Sequence, residues 1–325
     1  MDAGQGALSY LATGAVAVGV APTIAAPQRR YNRPIAALPA PPDPPMFPDD
    51  PAAHALAHVA ARSHGAPLHP DWRVTLNFHP DRLHAGVPLL AAMAADGVYR
   101  SQFETGTSNG GLTAHPGGDR WHWESRMFGQ AYDAAPPADR PKYGALNHRH
   151  RPEGGSPRFG ACHLRLAADV LARTTFCYPD SVFDPVHFGV AGRLDLVDRL
   201  RAAPPDDPLD HYIEAHVHGP LVLARDVEAL VLDPSFRGTE TETLARALPC
   251  AVEWHAGFSA NADDLRAERD YRDYRGAHIA ELATTLAGSE PLTPARIGAA
   301  ARAGRHDPQL LKKVWHCLAR FGNRN

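Results

Sequence analysis

The sequence is poor in the features that would classify it at a glance. Its 325 residues hold only four cysteines, Cys162, Cys177, Cys250 and Cys317, with no C-x-x-C pair, which removes zinc-knuckle and thioredoxin-type readings. They read as reduced, mostly buried small hydrophobic residues. An excess of one charge is missing too: 33 Lys and Arg stand against 36 Asp and Glu, a formal net charge of -3. No whole-chain field therefore draws the protein to nucleic acid, and no nucleic-acid partner is expected. The chain has no H-E-x-x-H helix, and no internal repeat stands out. Its apolar opening, "ALSYLATGAVAVGVAPTIAA", lacks the basic start of a signal peptide and follows Asp2. Glycine, proline and alanine also make it a poor membrane span, and none is expected. A poorly ordered leader and a cytoplasmic location are expected, or export if the leader acts in targeting.

Apolar residues are present at an ordinary 44%, and the length suffices for a large core. Seven prolines between Pro34 and Pro48 exclude helix or sheet there. Residues 1–49 are thus expected to be a leader and stiff linker, 50–258 an α+β catalytic region, and 259–325 a helical layer packed on it. "DDPAAHALAHVAARSHG" predicts a helix capped by Asp50, opened by Pro51 and ended by Gly65. His54 and His58 share one face of it and read as an exposed pair. "RVTLNFHPDR" alternates as a strand that brings His79 out at its end. After a helix closed by Gly97, "VYRSQFETG" is read as a second strand, followed by "KYGALN", "RFGACHLRL" and "RTTFCYPDS". In "HYIEAHVHGPL", Ile213, Ala215 and Val217 form one face, and Glu214, His216 and His218 the other. Thr293 with Pro294, and Asp307 with Pro308, open two C-terminal helices. Lys312, Lys313, Arg320 and Arg324 read as a solvated face.

"FHPDR", "YRSQFETGTSNGGL", "RPKYGAL", "SPRFGACHLRL", "IEAHVHGP" and "KKVWHCLARFG" together resemble a bacterial family known only as a conserved domain of unknown function. A more distant resemblance carries chemistry. The order of a histidine, an aromatic platform and a strand-borne glutamate is similar to ADP-ribosyltransferases of the His-Tyr-Glu type, some of them toxins or effectors. It implies a split antiparallel β-sandwich with flanking helices, and NAD as the substrate without a metal. His79 would then hold a ribose hydroxyl, Tyr143 would stack on nicotinamide beside Gly144, and Glu214 would bond the nicotinamide ribose. Tyr99 and Arg100 would form part of the cleft, with Thr105, Gly106, Thr107, Ser108 and Asn109 near ribose or phosphate. Arg100 or Arg158 could pair with the pyrophosphate by two-donor bonds.

Elementary chemistry agrees with that assignment. Breaking the ribose–nicotinamide bond develops positive charge on the sugar, so a fixed carboxylate stabilises the transition state more than the ground state. His216 stands two residues beyond Glu214, where members that modify arginine carry Glu or Gln, which points away from arginine as acceptor. The acceptor, a protein or a small molecule, and the oligomeric state stay open. Two other readings are open as well. Glu214, His216 and His218 could hold a metal that activates water, with "HWHWE" or "HRH" adding ligands. Alternatively, Trp121 and Trp123 could anchor a non-catalytic recognition surface.

Overall fold

The computed structural model describes residues 50–106, 113–267 and 269–323. The leader and linker, Thr107, Ser108, Asn109 and Arg324 lie outside the described residues. In chain order the strands are β1 (Val74–Phe78), β2 (Leu83–His84), β3 (Val87–Pro88), β4 (Val98–Tyr99), β5 (Lys142–Leu146), β6 (Cys162–Leu166), β7 (Thr174–Tyr178), β8 (His187–Val190), β9 (Glu214–Val217), β10 (Leu221–Val222), β11 (Val227–Leu232) and β12 (Ala251–Trp254). Eight of them are hydrogen-bonded as one sheet in the order β12-β11-β6-β1-β5-β9-β7-β8. Neighbours run antiparallel, except for the parallel pair β11 and β12 at one edge. The protein is thus α+β, with a mixed eight-strand sheet and a helical C-terminal region.

Period-two alternation divides the sheet into two chemically different faces. Val74, Leu76 and Phe78 of β1, with Ile213, Ala215 and Val217 of the β9 segment, enter the main core. That core also receives Ile279 and Ala283 of the helix Ala277–Ala287, Ile297 of Pro294–Arg302, and Leu311, Val314, Trp315 and Leu318 of Pro308–Phe321. Both expected N-caps are made: the Thr293 hydroxyl accepts from the Arg296 amide at 3.4 Å and the Asp307 carboxylate from the Gln309 amide at 2.8 Å.

The opposite face is polar but buried, because chain is laid over it. Thr75 accepts a hydrogen bond from the Gly155 amide at 2.8 Å, and Asn77 donates to the Glu153 carbonyl at 2.8 Å. Buried polar groups need such partners. A Cβ on Gly160 would lie 2.0 Å from the Phe78 carbonyl carbon, so only glycine lets this loop approach the strand so closely. Further along the face, Ala55 and Val59 of the helix Pro51–Ala60 pack with Met127, Phe128, Tyr132, Cys177 and Phe188.

Four local expectations need correction. His54 and His58 are half-buried and not an exposed pair: His54 Nε2 lies 3.2 Å from the Gly129 carbonyl oxygen and His58 Nε2 3.2 Å from Arg62 Nη1. "VYRSQFETG" is a strand only at Val98–Tyr99, and Gln102–Thr105 is a helical turn. Ser101 and Glu104 satisfy each other's amides at 3.1 and 2.7 Å, a capping box that nucleates helix where alternation suggested strand. The first helix stops at Ala60, before Gly65, which instead passes close to the Leu194 backbone. Lys312 is half-buried in a cavity wall and not simply solvated.

Candidate active site

Glu214 opens β9 and is paired in register with Ala145 of β5 and Cys177 of β7. Only 6% of it is exposed. Its Oε1 accepts hydrogen bonds from His216 Nε2 at 2.8 Å and the Ser181 amide at 3.3 Å, and faces the Cys177 thiol at 3.9 Å. Burial alone would raise the carboxyl pKa. The His216 hydrogen bond, the Arg120 guanidinium and the Ser181 amide outweigh it and hold Glu214 below its usual value. The result is an ionised carboxylate in a buried site.

His216 is itself held by a buried relay of hydrogen bonds. Tyr132 Oη lies 2.7 Å from His218 Nδ1, His218 Nε2 lies 2.9 Å from Thr175 Oγ1, and Thr175 Oγ1 lies 3.2 Å from His216 Nδ1. Glu214 can only accept, so His216 Nε2 donates to it, and with one proton on each imidazole the direction of every other bond follows. Tyr132 donates to His218, His218 to Thr175, Thr175 to His216 and His216 to Glu214. Burial lowers the His218 pKa far below the ordinary histidine value, so one proton on that ring suffices.

A cavity of about 70 Å³ opens beside Glu214, lined also by Arg120, Tyr143, Gly144, Gln102, Tyr99 and Phe159. Tyr143 is held by its hydroxyl, which donates to Glu124 Oε1 at 2.9 Å, while Arg140 donates to Glu124 Oε2 at 2.6 Å. Burial raises the Glu124 pKa to about 7 against the pull of both partners. The Arg120 guanidinium stands 4.2 Å from the centre of the Tyr143 ring. Arg120 Nε and Nη1 and Gln102 Oε1 are buried and lack a hydrogen-bond partner among the described residues.

Tyr99, Gln102 and Phe159 also line a neighbouring cavity of about 320 Å³. Its wall includes His79, Arg82, Arg100, Thr105, Arg158, Lys312 and Trp315. His79 lies edge-on to Trp315, ring centres 5.2 Å apart, and burial together with the charge of Arg82 lowers its pKa to about 3. Its ring is therefore neutral and can exchange one hydrogen bond with a hydroxyl. Unfolded histidine takes up its proton near 6.5, so stability contributed by keeping His79 neutral falls as pH drops from that value towards 3. Its C2 proton shift in NMR is expected to stay flat from pH 8 to 5; a midpoint above 6 would show a solvated ring.

Of the sequence-derived candidates, Tyr143, Gly144 and Glu214 meet at the small cavity, His79, Arg100, Thr105 and Arg158 at the larger one, and Tyr99 at both. The two arginines already have acidic partners: Arg100 binds Asp96 at 2.7 Å, and Arg158 binds Asp210. Gly106 ends the Gln102–Thr105 turn with φ of 61°. His218 does not join Glu214 and His216 as a ligand set, being turned to Tyr132 and Thr175. Cys177 takes its place, and its thiol lies with the Glu214 and His216 donor atoms inside 4.8 Å. Trp121 and Trp123 lie on the helix Asp119–Met127, whose buried side presents Arg120 and Glu124. Sequence reasoning missed those two, although their four-residue spacing after Gly118 puts both charges on one helical face.

A family model described as a protein of unknown function (DUF3626) matches residues 73–203 and 190–321. The chain belongs to this family. The stretches from "FHPDR" to "IEAHVHGP" lie inside the matched span, and segments that carry these motifs supply part of the lining of both cavities. No curated protein matches the chain. Among the described residues, no helix is long and apolar enough to cross a membrane.

Proposed function

We propose that the protein cleaves the bond between nicotinamide and ribose in NAD and passes ADP-ribose to an acceptor or to water. The observation that carries this reading is the buried Glu214, its carboxylate held by His216 and the Ser181 amide, in a small cavity that shares walls with a larger, cation-lined one. A dinucleotide has that same division: a flat heterocycle at one end, charged phosphates and a second nucleoside beyond it. Glu214 stabilises the positive charge developing on the ribose. The Tyr143 ring supplies a flat apolar surface for nicotinamide, and neutral His79 meets a ribose hydroxyl in the larger cavity. Arg82 and Lys312 line the same wall as Arg100 and Arg158 and add to the positive field around a pyrophosphate. The chain has one mixed eight-stranded sheet where the ADP-ribosyltransferase class has a split antiparallel sandwich, so the proposal rests on the chemistry of the site and on the shared α+β class alone.

Purified protein is expected to release nicotinamide from NAD and to keep doing so in the presence of chelator. A second reading rests on the grouping of Cys177, Glu214 and His216, whose thiol, carboxylate and imidazole suit zinc, with Thr175 orienting the far nitrogen of His216. Stoichiometric zinc in the purified protein, with activity lost to chelator, would favour a metal-dependent hydrolase.

A further inference from the structure

We infer that Arg120 and Gln102 form a subsite for a planar ring bearing a carboxamide, and that Arg120 also promotes departure of that ring. The inference deepens the NAD reading and rests on it. Arg120 is 8% exposed, and among the described residues its Nε and Nη1 lack partners; Gln102 Oε1 is likewise buried and without a partner among them, and both residues line the cavity that holds Glu214. Buried polar atoms left unpaired are costly, and unpaired donors and an unpaired acceptor on residues that line one cavity match the needs of one primary amide. The carbonyl oxygen accepts from Arg120, and the amide NH2 donates to Gln102.

The size and walls agree with such a ligand. The cavity, about 70 Å³, is smaller than the roughly 150 Å³ that takes one benzene ring, so it receives the carboxamide edge while the ring extends along the Tyr99, Gln102 and Phe159 wall shared with the larger cavity; Tyr143 and Phe159 supply aromatic surface. A carboxylate in place of the carboxamide would keep the Arg120 contact but set an anion against Gln102 Oε1 and Glu214. The site thus distinguishes amide from acid.

Arg120 has a second effect on the reaction. In NAD the ring is a pyridinium, and a guanidinium beside it raises the energy of the bound ground state. As the C–N bond breaks, its electron pair passes to the ring nitrogen and nicotinamide becomes neutral. The positive charge moves to the ribose, beside Glu214. Water or the acceptor then forms the new bond to the sugar carbon and loses a proton. Arg120 and Glu214 therefore bias charge in the same direction, from ring to sugar.

Binding of nicotinamide, benzamide and nicotinate to the full chain, measured by calorimetry and ligand-detected NMR, tests the subsite. Nicotinamide and benzamide are expected to bind at least about tenfold more tightly than nicotinate. Arg120→Met is expected to weaken nicotinamide by about tenfold or more, and Gln102→Met to bring nicotinamide and nicotinate within about threefold of each other. The wild-type comparison needs no variant, so misfolding of either would not rescue the inference. Equal or tighter binding of nicotinate, or an unchanged affinity in a folded Arg120→Met protein, would overturn it. Amide-selective binding without NAD cleavage would uphold the subsite and remove the catalytic reading. Cleavage without amide selectivity would do the reverse.

Discussion

Glu214→Gln is expected to slow nicotinamide release from NAD by about a thousandfold, the scale of losing one preorganised electrostatic contact in a water-poor site. The amide keeps the size of the side chain and removes the charge that the developing ribosyl cation needs. Glutamine can still accept from His216 and the Ser181 amide through its carbonyl oxygen, so the fold and the cavity should persist. The loss should appear in kcat and kcat/KM together, with KM nearly constant, because the contact matters chiefly in the transition state. A folded Glu214→Gln protein that turns over NAD at the wild-type rate would end the proposed mechanism.

Thr175→Val is expected to lower stability by about 3 kcal/mol while keeping the side-chain shape, since it leaves His216 Nδ1 and His218 Nε2 buried without a shared partner. Thr175 is fully buried, so water has no ready path to either nitrogen. Urea unfolding should show a lower midpoint with an unchanged slope, the pattern of lost stability without altered compactness. Nitrogen-15 NMR of the wild type should find the proton of both His216 and His218 on Nε2. In the variant Glu214 still holds the His216 proton on Nε2, whereas His218 loses the acceptor of its Nε2 proton, and the His218 ring signals should show a mixture. A wild-type His216 carrying its single proton on Nδ1 would contradict the relay described above.

Much of the sheet is legible in the sequence where strands alternate, as "VTLNF" and "CHLRL" do, or run straight into proline, as "TTFCY" does at Pro179. "VTLNF", "KYGAL", "CHLRL" and "TTFCY" declare themselves, and so does the pairing of Glu214 with His216 on one face. The remainder depends on pairings between distant segments. Cys177 reads as an inert small hydrophobe until β7 is set beside β9, which brings its sulfur to 3.9 Å from Glu214. Thr175 and Tyr132 gain their roles in the same way, through partners 41 and 86 residues away. Gln102 was hidden by a different cause, local competition, because the Ser101–Glu104 cap turns a strand-like stretch into helix. Alternation also says only that Thr75 and Asn77 are polar-facing; that this face is roofed by residues 153–160 is a tertiary fact.

The margins of the sheet bear on solubility. A bare strand edge is a template for pairing with another chain, and natural sheets blunt it with short strands, charge or a covering element. At one margin β12 has only four residues, and its exposed Glu253 is clasped by Arg165 through two bonds of 2.8 and 2.7 Å. Arg237 covers Trp254 of the same strand, 4.1 Å from its ring centre. At the other margin the segment that follows the helix Pro51–Ala60 bridges to β8 through Ser63 and Phe188. Fibril-like stacking through either edge would first have to break an ion pair or peel away this N-terminal segment, so the antiparallel core is guarded against addition of strands from its own copies.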